Sequence, residues 1–298
     1  GRLPVYQSTN RTACVRRMPG HNASAVAGVA ICYHGLLRSL PEVMASHRAH
    51  LLDVLMNASL DVRVFVHNWR PAGARENEGA PSIISPLAPR AALEDDEIEF
   101  LRWLEPRWDL YFNVTQQVAY ERMVAVSRKR PWLGAAWSPA FSAISGPVVK
   151  RRNTLCGLES LKRAFALALA NDRAWWETSC RFVVFVRPDT RFLSRFPVND
   201  MLSLRDTQVL VPSEDQWFGT NDRFAACRRA AASTYANRID EASAFHMMPH
   251  YGSSMTAVIV AFPEALLSHS LAAHGIRAKR SRDPRLQIVR STNYTQIY

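Results

Sequence analysis

The chain has 298 residues, of which 48% are hydrophobic and 21% charged, a composition typical of a globular protein with a substantial core. Lys and Arg number 37 against 26 Asp and Glu, giving a formal charge of +11, which suits an anionic partner such as a phosphate-bearing substrate. The arginines are scattered rather than clustered, so we do not expect nucleic acid; an arginine-rich genome composition is the alternative explanation. No apolar run reaches the roughly 18 residues of a membrane helix, so membrane tethering would need a segment absent from this chain.

Five Asn-x-Ser/Thr sequons favour folding in a secretory lumen. They begin at Asn10, Asn22, Asn57, Asn113 and Asn293. Chance would supply about one or two in a chain of this composition. We therefore expect a lumenal protein of the Golgi, with its anchor removed, or a secreted one. Coincidence is the alternative.

The five cysteines show no CxxC or Cys/His spacing, so a zinc site is not expected. Cys32 lies within an apolar strand and is predicted to be a free, buried thiol. An oxidising lumen would permit disulfides, and Cys156 with Cys180 is one candidate pair.

Hydrophobic patterning predicts alternating strands and helices after a polar arm or stem at residues 1–25. The predicted strands are 25–33, 61–67, 108–114, 181–186, 208–212, 256–262 and 286–290. The predicted helices are 40–57, one starting at Glu94, 116–130, 153–172, 225–247 and 263–273. This alternation, with a βαβ unit at its start, predicts a single α/β domain over residues 26–298, with a mostly parallel sheet flanked by helices.

The strand that ends at Arg187-Pro188-Asp189 is the centre of the pattern. Its uninterrupted Val and Phe residues predict burial on both faces, and Pro188 ends it. Asp189 is therefore expected at the carboxyl edge of the sheet, where open α/β sheets bind ligands. The alternative is that Asp189 only pairs with Arg187 or Arg191.

Common nucleotide and hydrolase signatures are missing from the sequence. It contains no GxGxxG, GxxxxGK[ST], GxSxG or HExxH motif, which argues against dinucleotide binding, P-loop kinases and α/β-hydrolases. The missing phosphate loop also weakens a sulfotransferase interpretation.

A series of short motifs remains, in a fixed order along the chain. They are Gly35-x-x-Arg38, Phe65-x-His67-x-Trp69, Arg187-x-Asp189, Asn221-Asp222-x-Phe224-Ala225 and Phe262-Pro263-Glu264. This order resembles a poorly characterised group of GT-A-like glycosyltransferases from surface-polysaccharide loci, algae and large viruses. The resemblance covers roughly residues 26–290, and it lies in the order of the motifs rather than in any one of them. It implies a GT-A-like, Rossmann-related fold that transfers a sugar from a nucleotide-diphosphate sugar to a hydroxyl of a glycan or glycoprotein.

The resemblance also implies a donor site. His34, Gly35 and Arg38 would surround the nucleotide and its pyrophosphate, together with His67. Lys150 and Arg187 would add positive charge, with Arg151, Arg152 and the basic tail as further sources.

On the acceptor side, Asp222 or Asp215 would serve as a catalytic base or a sugar-hydroxyl ligand. Asp189 would hold Mn²⁺ or Mg²⁺, with His246 and His250 as further metal or phosphate ligands. The chain departs from the GT-A pattern because it has no Asp-x-Asp, and the arginines flanking Asp189 could partly replace a metal.

Each motif also has a structural explanation. Arg38 could cap a helix or pair with Glu42, and His67 could be a core histidine. Asn221-Asp222 is a turn signal, and residues 150–152 could be an exposed helix start. For the whole chain, the alternative to a transferase is a non-catalytic carbohydrate- or polyanion-binding module on the same fold.

Overall fold

The computed structural model describes residues 26–35, 40–70, 107–110, 148–214, 219–242 and 263–289. Their strands are β1 (Gly28–Gly35), β2 (Asp61–Arg70), β3 (Arg107–Leu110), β4 (Cys180–Val186), β5 (Thr190–Phe192), β6 (Gln208–Pro212), β7 (Phe224–Arg228), β8 (Arg277–Ser281) and β9 (Leu286–Ile288). Their helices are α1 (Leu40–His47, continued by a π-helical turn at Arg48–Leu52 and an α-helical segment at Asp53–Asn57), α2 (Val148–Asn171), α3 (Arg173–Thr178), α4 (Val198–Leu202), α5 (Arg229–Asn237, continued by a 3-10 turn at Arg238–Glu241) and α6 (Pro263–Ala273).

Seven strands form a central sheet in the order β3-β2-β1-β4-β7-β6-β8. Every neighbouring pair in it is parallel except the two that involve β7, which runs against both β4 and β6. Strands β5 and β9 pair in a separate antiparallel sheet. The predicted class, a Rossmann-like α/β fold with a mostly parallel sheet flanked by helices, is confirmed.

The central strands β1 and β4 are apolar throughout because both of their faces are covered. On one face Ile31 and Val184 belong to the core that includes the buried α1 residues Leu51 and Leu55. On the other face, residues such as Cys32 pack in a second core with α2 and α5. A strand covered on both faces cannot alternate apolar with polar residues, which is why the sequence run indicated a buried parallel strand.

The predicted βαβ unit is present, with β1 and β2 parallel and paired from Gly28 with Asp61 to Gly35 with Asn68. Helix α1 lies between them in sequence at the predicted position. Asn57, the one sequon asparagine within the described residues, is exposed at the end of this helix, as a glycosylation site requires.

The prediction of a helix over residues 225–247 is wrong at its start. Residues Phe224–Arg228 form β7 instead, and the helix begins at Arg229. Alanine favours helices, but β7 lies between β4 and β6 and forms backbone hydrogen bonds along both of its edges. Cys227 pairs with Val183 on one side and with Val209 on the other. Tertiary pairing therefore overrides local preference. Strand β8 was likewise missed, because its Arg-Ala-Lys-Arg sequence at a sheet edge has no apolar alternation.

The candidate Cys156–Cys180 disulfide is also wrong. Cys32, Cys156, Cys180 and Cys227 are all buried, and none of them forms a disulfide. Ser160 of α2 contacts Gly35 at the carboxyl end of β1, so Cys156, one turn before it, lies near the carboxyl edge of the sheet, whereas Cys180 begins β4 at the opposite edge. A disulfide requires Cα atoms within roughly 7 Å, which this arrangement excludes. The predicted free thiol at Cys32 is confirmed.

Several predictions lie outside the described residues. They include the arm at 1–25, the helices at Glu94 and 116–130, and the strand at 256–262. Within the described part of the chain, no helix combines the length and the apolar character that a membrane crossing needs.

Candidate active site at the carboxyl edge of the sheet

The order of the central strands creates a switch point between β1 and β4. From β1 the chain adds β2 and then β3 on one side, and it returns to add β4 on the other. The helical connections from these two strands leave in opposite directions at their carboxyl ends, which opens a crevice in α/β folds of this kind. At this edge, Tyr33 of β1 pairs with Val186 of β4, and the next residues are Gly35 and Arg187-Pro188-Asp189.

Gly35 lies beside the loop after β4 in a backbone conformation that favours glycine. Its φ of +117° is one that residues with a Cβ rarely adopt, and a Cβ placed there would lie 3.8 Å from Cδ of Pro188. Its amide donates to Oγ of Ser160, in the middle of α2, at 2.8 Å. The Gly35 amide therefore already has an internal acceptor.

His67 is fully buried beneath the same serine. Its Nδ1 lies 2.7 Å from Ser160 Oγ, and the serine hydroxyl also lies 3.3 Å from the His67 carbonyl oxygen. This geometry matches the structural alternative for His67, a satisfied core histidine. Ser160 was not singled out from the sequence, because nothing in a mid-helix serine indicates which strand end it will meet.

His34 lies next to the switch point and is only 5% exposed. Burial, followed by the positive charges of Arg238 and Arg187, lowers the pKa of His34 well below its usual value, so its imidazole is neutral. Its Nε2 has no hydrogen-bond partner among the described residues. A neutral imidazole with one unsatisfied nitrogen can meet a polar group of a ligand.

Arg187 and Asp189 form a bidentate ion pair immediately after β4. Arg187 Nε donates to Asp189 Oδ1 at 3.0 Å, and Nη2 donates to Oδ2 at 2.7 Å. Burial alone would lower the pKa of Arg187, but the charges of Asp189, Asp222 and Glu264 raise it, so the guanidinium is a firm cation. Its side chain is 39% exposed, which leaves it accessible to an anionic ligand.

The described residues place Asp189 beside an arginine rather than in a cluster of metal-ligating side chains. Within the described ranges, no group of three His, Cys, Asp or Glu side chains is arranged to hold an ion. Both oxygens of Asp189 accept hydrogen bonds from Arg187, so a divalent ion bound there would share the carboxylate with a guanidinium. The predicted further ligands His246 and His250 lie outside the described residues, so the Mn²⁺ or Mg²⁺ site at Asp189 stays a prediction.

Asp222 lies at the same edge because β7 runs antiparallel and begins there. Its Oδ2 is 3.5 Å from Nη2 of Arg238, whose side chain is 1% exposed. Tyr235 supports both residues: its hydroxyl donates to the Asp222 carbonyl at 3.2 Å, and its carbonyl accepts from Arg238 Nη1 at 2.7 Å. Arg238 also lies over the Tyr235 ring at 4.5 Å. Asp222 is thus fixed by a buried arginine that sequence reasoning missed.

The preceding residues form an ordered turn rather than a separate site. Asn221 Oδ1 accepts from the Arg223 amide at 2.9 Å, and its Nδ2 donates to the Glu214 carbonyl at 2.8 Å. The turn signal in Asn221-Asp222 is therefore real, and its consequence is to present Asp222 at the start of β7.

Glu264, in the first turn of α6, is a second carboxyl of this site. It is 9% exposed, and its Oε2 has no hydrogen-bond partner among the described residues. Burial, and next the negative charge of Asp222, raise the pKa of Glu264 to about 7, against the hydrogen bond from its own backbone amide and the charges of Arg223 and Arg187. In the sequence, Glu264 read only as part of the last motif and as a helix start, so no role was predicted for it.

The loop before β7 is packed directly onto this helix start. The Thr220 amide donates to the Glu264 carbonyl at 3.0 Å, and the hydroxyls of Thr220 and Ser268 are 2.8 Å apart. A Cβ on Gly219 would come within 2.1 Å of the Glu264 carbonyl oxygen, so only glycine allows this contact. The backbones that carry Asp222 and Glu264 are therefore held together.

Seven predicted site residues have no described side chain. Arg38, Asp215, His246 and His250 lie outside the described residues, and Lys150, Arg151 and Arg152 lie in α2 at positions where only the backbone is described. The site that the structure assembles from the predicted residues thus consists of His34, Gly35, Arg187, Asp189 and Asp222, with His67 beneath it.

Comparison with known proteins adds no family to this geometry. No protein-family model matches the chain, and a search of curated proteins finds no match. The resemblance to GT-A-like glycosyltransferases stays a prediction, and the function is inferred below from the residues at the edge of the sheet.

Proposed function

We propose that this protein is a glycosyltransferase that moves a sugar from a nucleotide-diphosphate sugar to a hydroxyl of a glycan or glycoprotein. The proposal rests on one observation. Arg187, an accessible cation, lies near Gly35 and Asp222 at the β1–β4 switch point. A nucleotide bound in this crevice would direct its diphosphate to the carboxyl ends of the strands.

Arg187 supplies what a departing diphosphate requires. As the bond between sugar and phosphate breaks, negative charge develops on the leaving oxygen, and a fixed guanidinium stabilises that charge. Asp189 holds the guanidinium by two hydrogen bonds and so orients it. This role needs only Arg187 and Asp189, and both are among the described residues.

Asp222 is better suited to hold a sugar hydroxyl than to take a proton. Its carboxylate faces the buried guanidinium of Arg238, which stabilises its charge. An ionised carboxylate accepts hydrogen bonds strongly, and sugar hydroxyls are donors of the matching kind.

The proposal is tested by measuring release of nucleoside diphosphate from a panel of sugar nucleotides, with a panel of glycan acceptors. We expect acceptor-dependent release by the wild type and a loss of roughly 100-fold in Arg187→Met. Arg195→Met is the matched control, since Arg195 is an exposed arginine close in sequence, and it should retain full activity. If no donor is turned over above background, the transferase proposal is wrong. Binding of a glycan or polyanion without turnover would instead support the binding-module alternative.

A chelator tests the metal prediction in the same assay. Because Arg187 already supplies the cation beside Asp189, we expect EDTA to weaken binding of the nucleoside diphosphate less than tenfold. A larger loss, restored by Mn²⁺ or Mg²⁺, would mean that a metal ion takes part in binding the diphosphate.

We also propose that the protein works in the secretory pathway, as its sequons suggest. Expression in a cell that N-glycosylates secreted proteins should give a product whose mass falls on endoglycosidase treatment. Substituting Gln for Asn57, which is exposed at the end of α1, should remove one glycan. A product without glycans would contradict this localisation.

A further inference from the structure

We propose that Glu264 receives the proton of the acceptor hydroxyl, so that sugar transfer proceeds with inversion of the anomeric carbon. This inference rests on the proposed function and deepens it. It assigns the proton transfer to a residue that the sequence did not indicate.

The first argument is the unsatisfied state of a buried carboxyl. Glu264 is 9% exposed, and its Oε2 has no hydrogen-bond partner among the described residues. A buried polar atom without a partner costs about 1–3 kcal/mol, so its presence calls for an explanation such as a catalytic role or a bound ligand. Nε2 of His34 is a second polar atom without a hydrogen-bond partner among the described residues. The charge of Arg187 acts on both His34 and Glu264. Two unsatisfied polar atoms near one accessible arginine indicate that a polar ligand completes this site.

The second argument is a division of labour between two carboxyls. Asp222 lies 3.5 Å from the guanidinium of Arg238, whereas Glu264 forms no ion pair among the described residues and lies near the negative charge of Asp222. Two neighbouring carboxyls in different surroundings take different roles, one ionised and one exchanging a proton. The pKa of Glu264, about 7, is suited to a base that works near neutral pH.

The third argument is that the backbone holds these groups in register. Thr220 bonds to the Glu264 carbonyl, Gly219 lies against the same peptide, and Tyr235 bonds to the Asp222 carbonyl. The charged groups that act on Glu264 come from three places: Asp222 and Arg223 before β7, and Arg187 after β4. Such support is what a residue that must meet a reacting atom requires.

The reaction balances as a single displacement. A lone pair of the acceptor oxygen forms a bond to the anomeric carbon, while the bond from that carbon to the diphosphate breaks and its electron pair leaves with the diphosphate. The acceptor proton moves to the Glu264 carboxylate and is later released to water. Arg187 stabilises the leaving diphosphate.

The decisive variant is Glu264→Gln, which keeps the shape but cannot accept a proton. We expect acceptor-dependent transfer to fall at least 100-fold, while the affinity for nucleoside diphosphate changes less than threefold. Glu177→Gln is the matched control, because Glu177 is an exposed glutamate paired with Arg173, and it should behave as wild type. Circular dichroism establishes that each variant is folded.

The pH profile gives a readout that a structural role would not change. Only the ionised carboxylate can accept the proton, so wild-type kcat/KM for the acceptor should be level above pH 7 and fall tenfold for each pH unit below it. The residual rate of Glu264→Gln should lack this acidic limb.

Anomeric configuration of the product, read by NMR on the wild type, needs no variant. Inversion is expected, and retention would overturn the role of Glu264 even if Glu264→Gln fails to fold. A wild type that transfers sugar while Glu264→Gln remains within threefold of it, with the same pH profile, would overturn this inference alone. A wild type without transfer from any donor would overturn the proposed function, and this inference with it.

Discussion

Arg187 and Asp189 face each other two residues apart at the end of β4, joined by two hydrogen bonds of 3.0 and 2.7 Å. Pro188 between them ends the strand, and the peptide after it turns back so that the Thr190 amide donates to the Arg187 carbonyl at 3.2 Å. The turn leads directly into β5, which pairs with β9. The Val289 amide donates to the Asp189 carbonyl at 2.8 Å. The ion pair is thus fixed by backbone on both sides.

Asp189→Asn should weaken this turn. The change removes the ionic component of the pair, but the Arg187 side chain is 39% exposed and water screens its charge. We therefore expect the free energy of unfolding to fall by only about 1 kcal/mol. Urea denaturation measures the change. Asp206→Asn is the control, since that carboxylate is 70% exposed and 3.9 Å from Arg228; its stability should stay within about 0.5 kcal/mol of wild type. Equal effects of the two variants would contradict the structural role of the pair.

Asp222→Asn should destabilise the protein far more. It leaves the guanidinium of Arg238, which is 1% exposed, as a buried cation without its carboxylate. We expect a loss of about 3 kcal/mol, measured by urea denaturation.

The double variant Asp222→Asn/Arg238→Met completes the cycle. Because it removes both charges, its loss should be smaller than the sum of the two single losses by more than about 1 kcal/mol. Additive losses would show that the two residues do not interact.

Gly219→Ala should disturb the contact between the loop and α6. The new Cβ would lie 2.1 Å from the carbonyl oxygen of Glu264 and 2.6 Å from the amide nitrogen of Ala265, so backbone must move. We expect a loss of about 2 kcal/mol in unfolding free energy and reduced transfer activity.

Gly157→Ala provides the opposite case. Gly157 lies within α2, and a Cβ there would meet no atom within 4 Å. Because alanine is the better helix former, we expect this variant to gain about 0.5–1 kcal/mol. The free energy of unfolding of both variants is measured by thermal or urea unfolding. Similar changes in the two glycine variants would mean that α6 is not in tight contact with the loop at Gly219.

His47 should make stability fall in acid. It is fully buried, its Nδ1 lies 2.9 Å from the Tyr33 hydroxyl, and its Nε2 bonds to the Thr190 carbonyl. Burial lowers the pKa of His47 to about 4, against the opposing effects of the Thr190 hydrogen bond and the charge of Asp189.

The folded protein therefore binds this proton less readily than the unfolded chain, whose histidine titrates near pH 6.5. Its contribution is complete above pH 6.5 and is lost as the pH falls towards 4, by about 3 kcal/mol in all. Unfolding curves recorded across this window measure the loss. A His47→Gln variant should show a correspondingly flatter dependence, and a slope equal to that of wild type would contradict the assignment.

Much of the sheet could be predicted from local pattern. The runs of β1 and β4 are apolar because both faces of a central parallel strand are covered, and the helical periodicity of residues 153–172 matches the buried face of α2. Strands β7 and β8 escaped prediction because one is rich in alanine and the other is a basic edge strand. Their conformation depends on partners elsewhere in the chain.

The sequence alone determined that Gly35, Arg187 and Asp189 lie at the carboxyl edge of the sheet. The apolar runs before them can only form central strands with both faces buried, and a glycine and a proline end those strands. The sequence also predicted that Asp222 lies in a turn. Only the tertiary structure decided what these residues face. Ser160 meets Gly35 across 125 residues, Arg238 meets Asp222 after an intervening strand and helix, and α6 brings Glu264 to the same edge. Burial then changes the acid–base behaviour of a carboxyl whose sequence neighbours give no sign of it, since desolvation and the charge of Asp222 arise only when separate segments pack together.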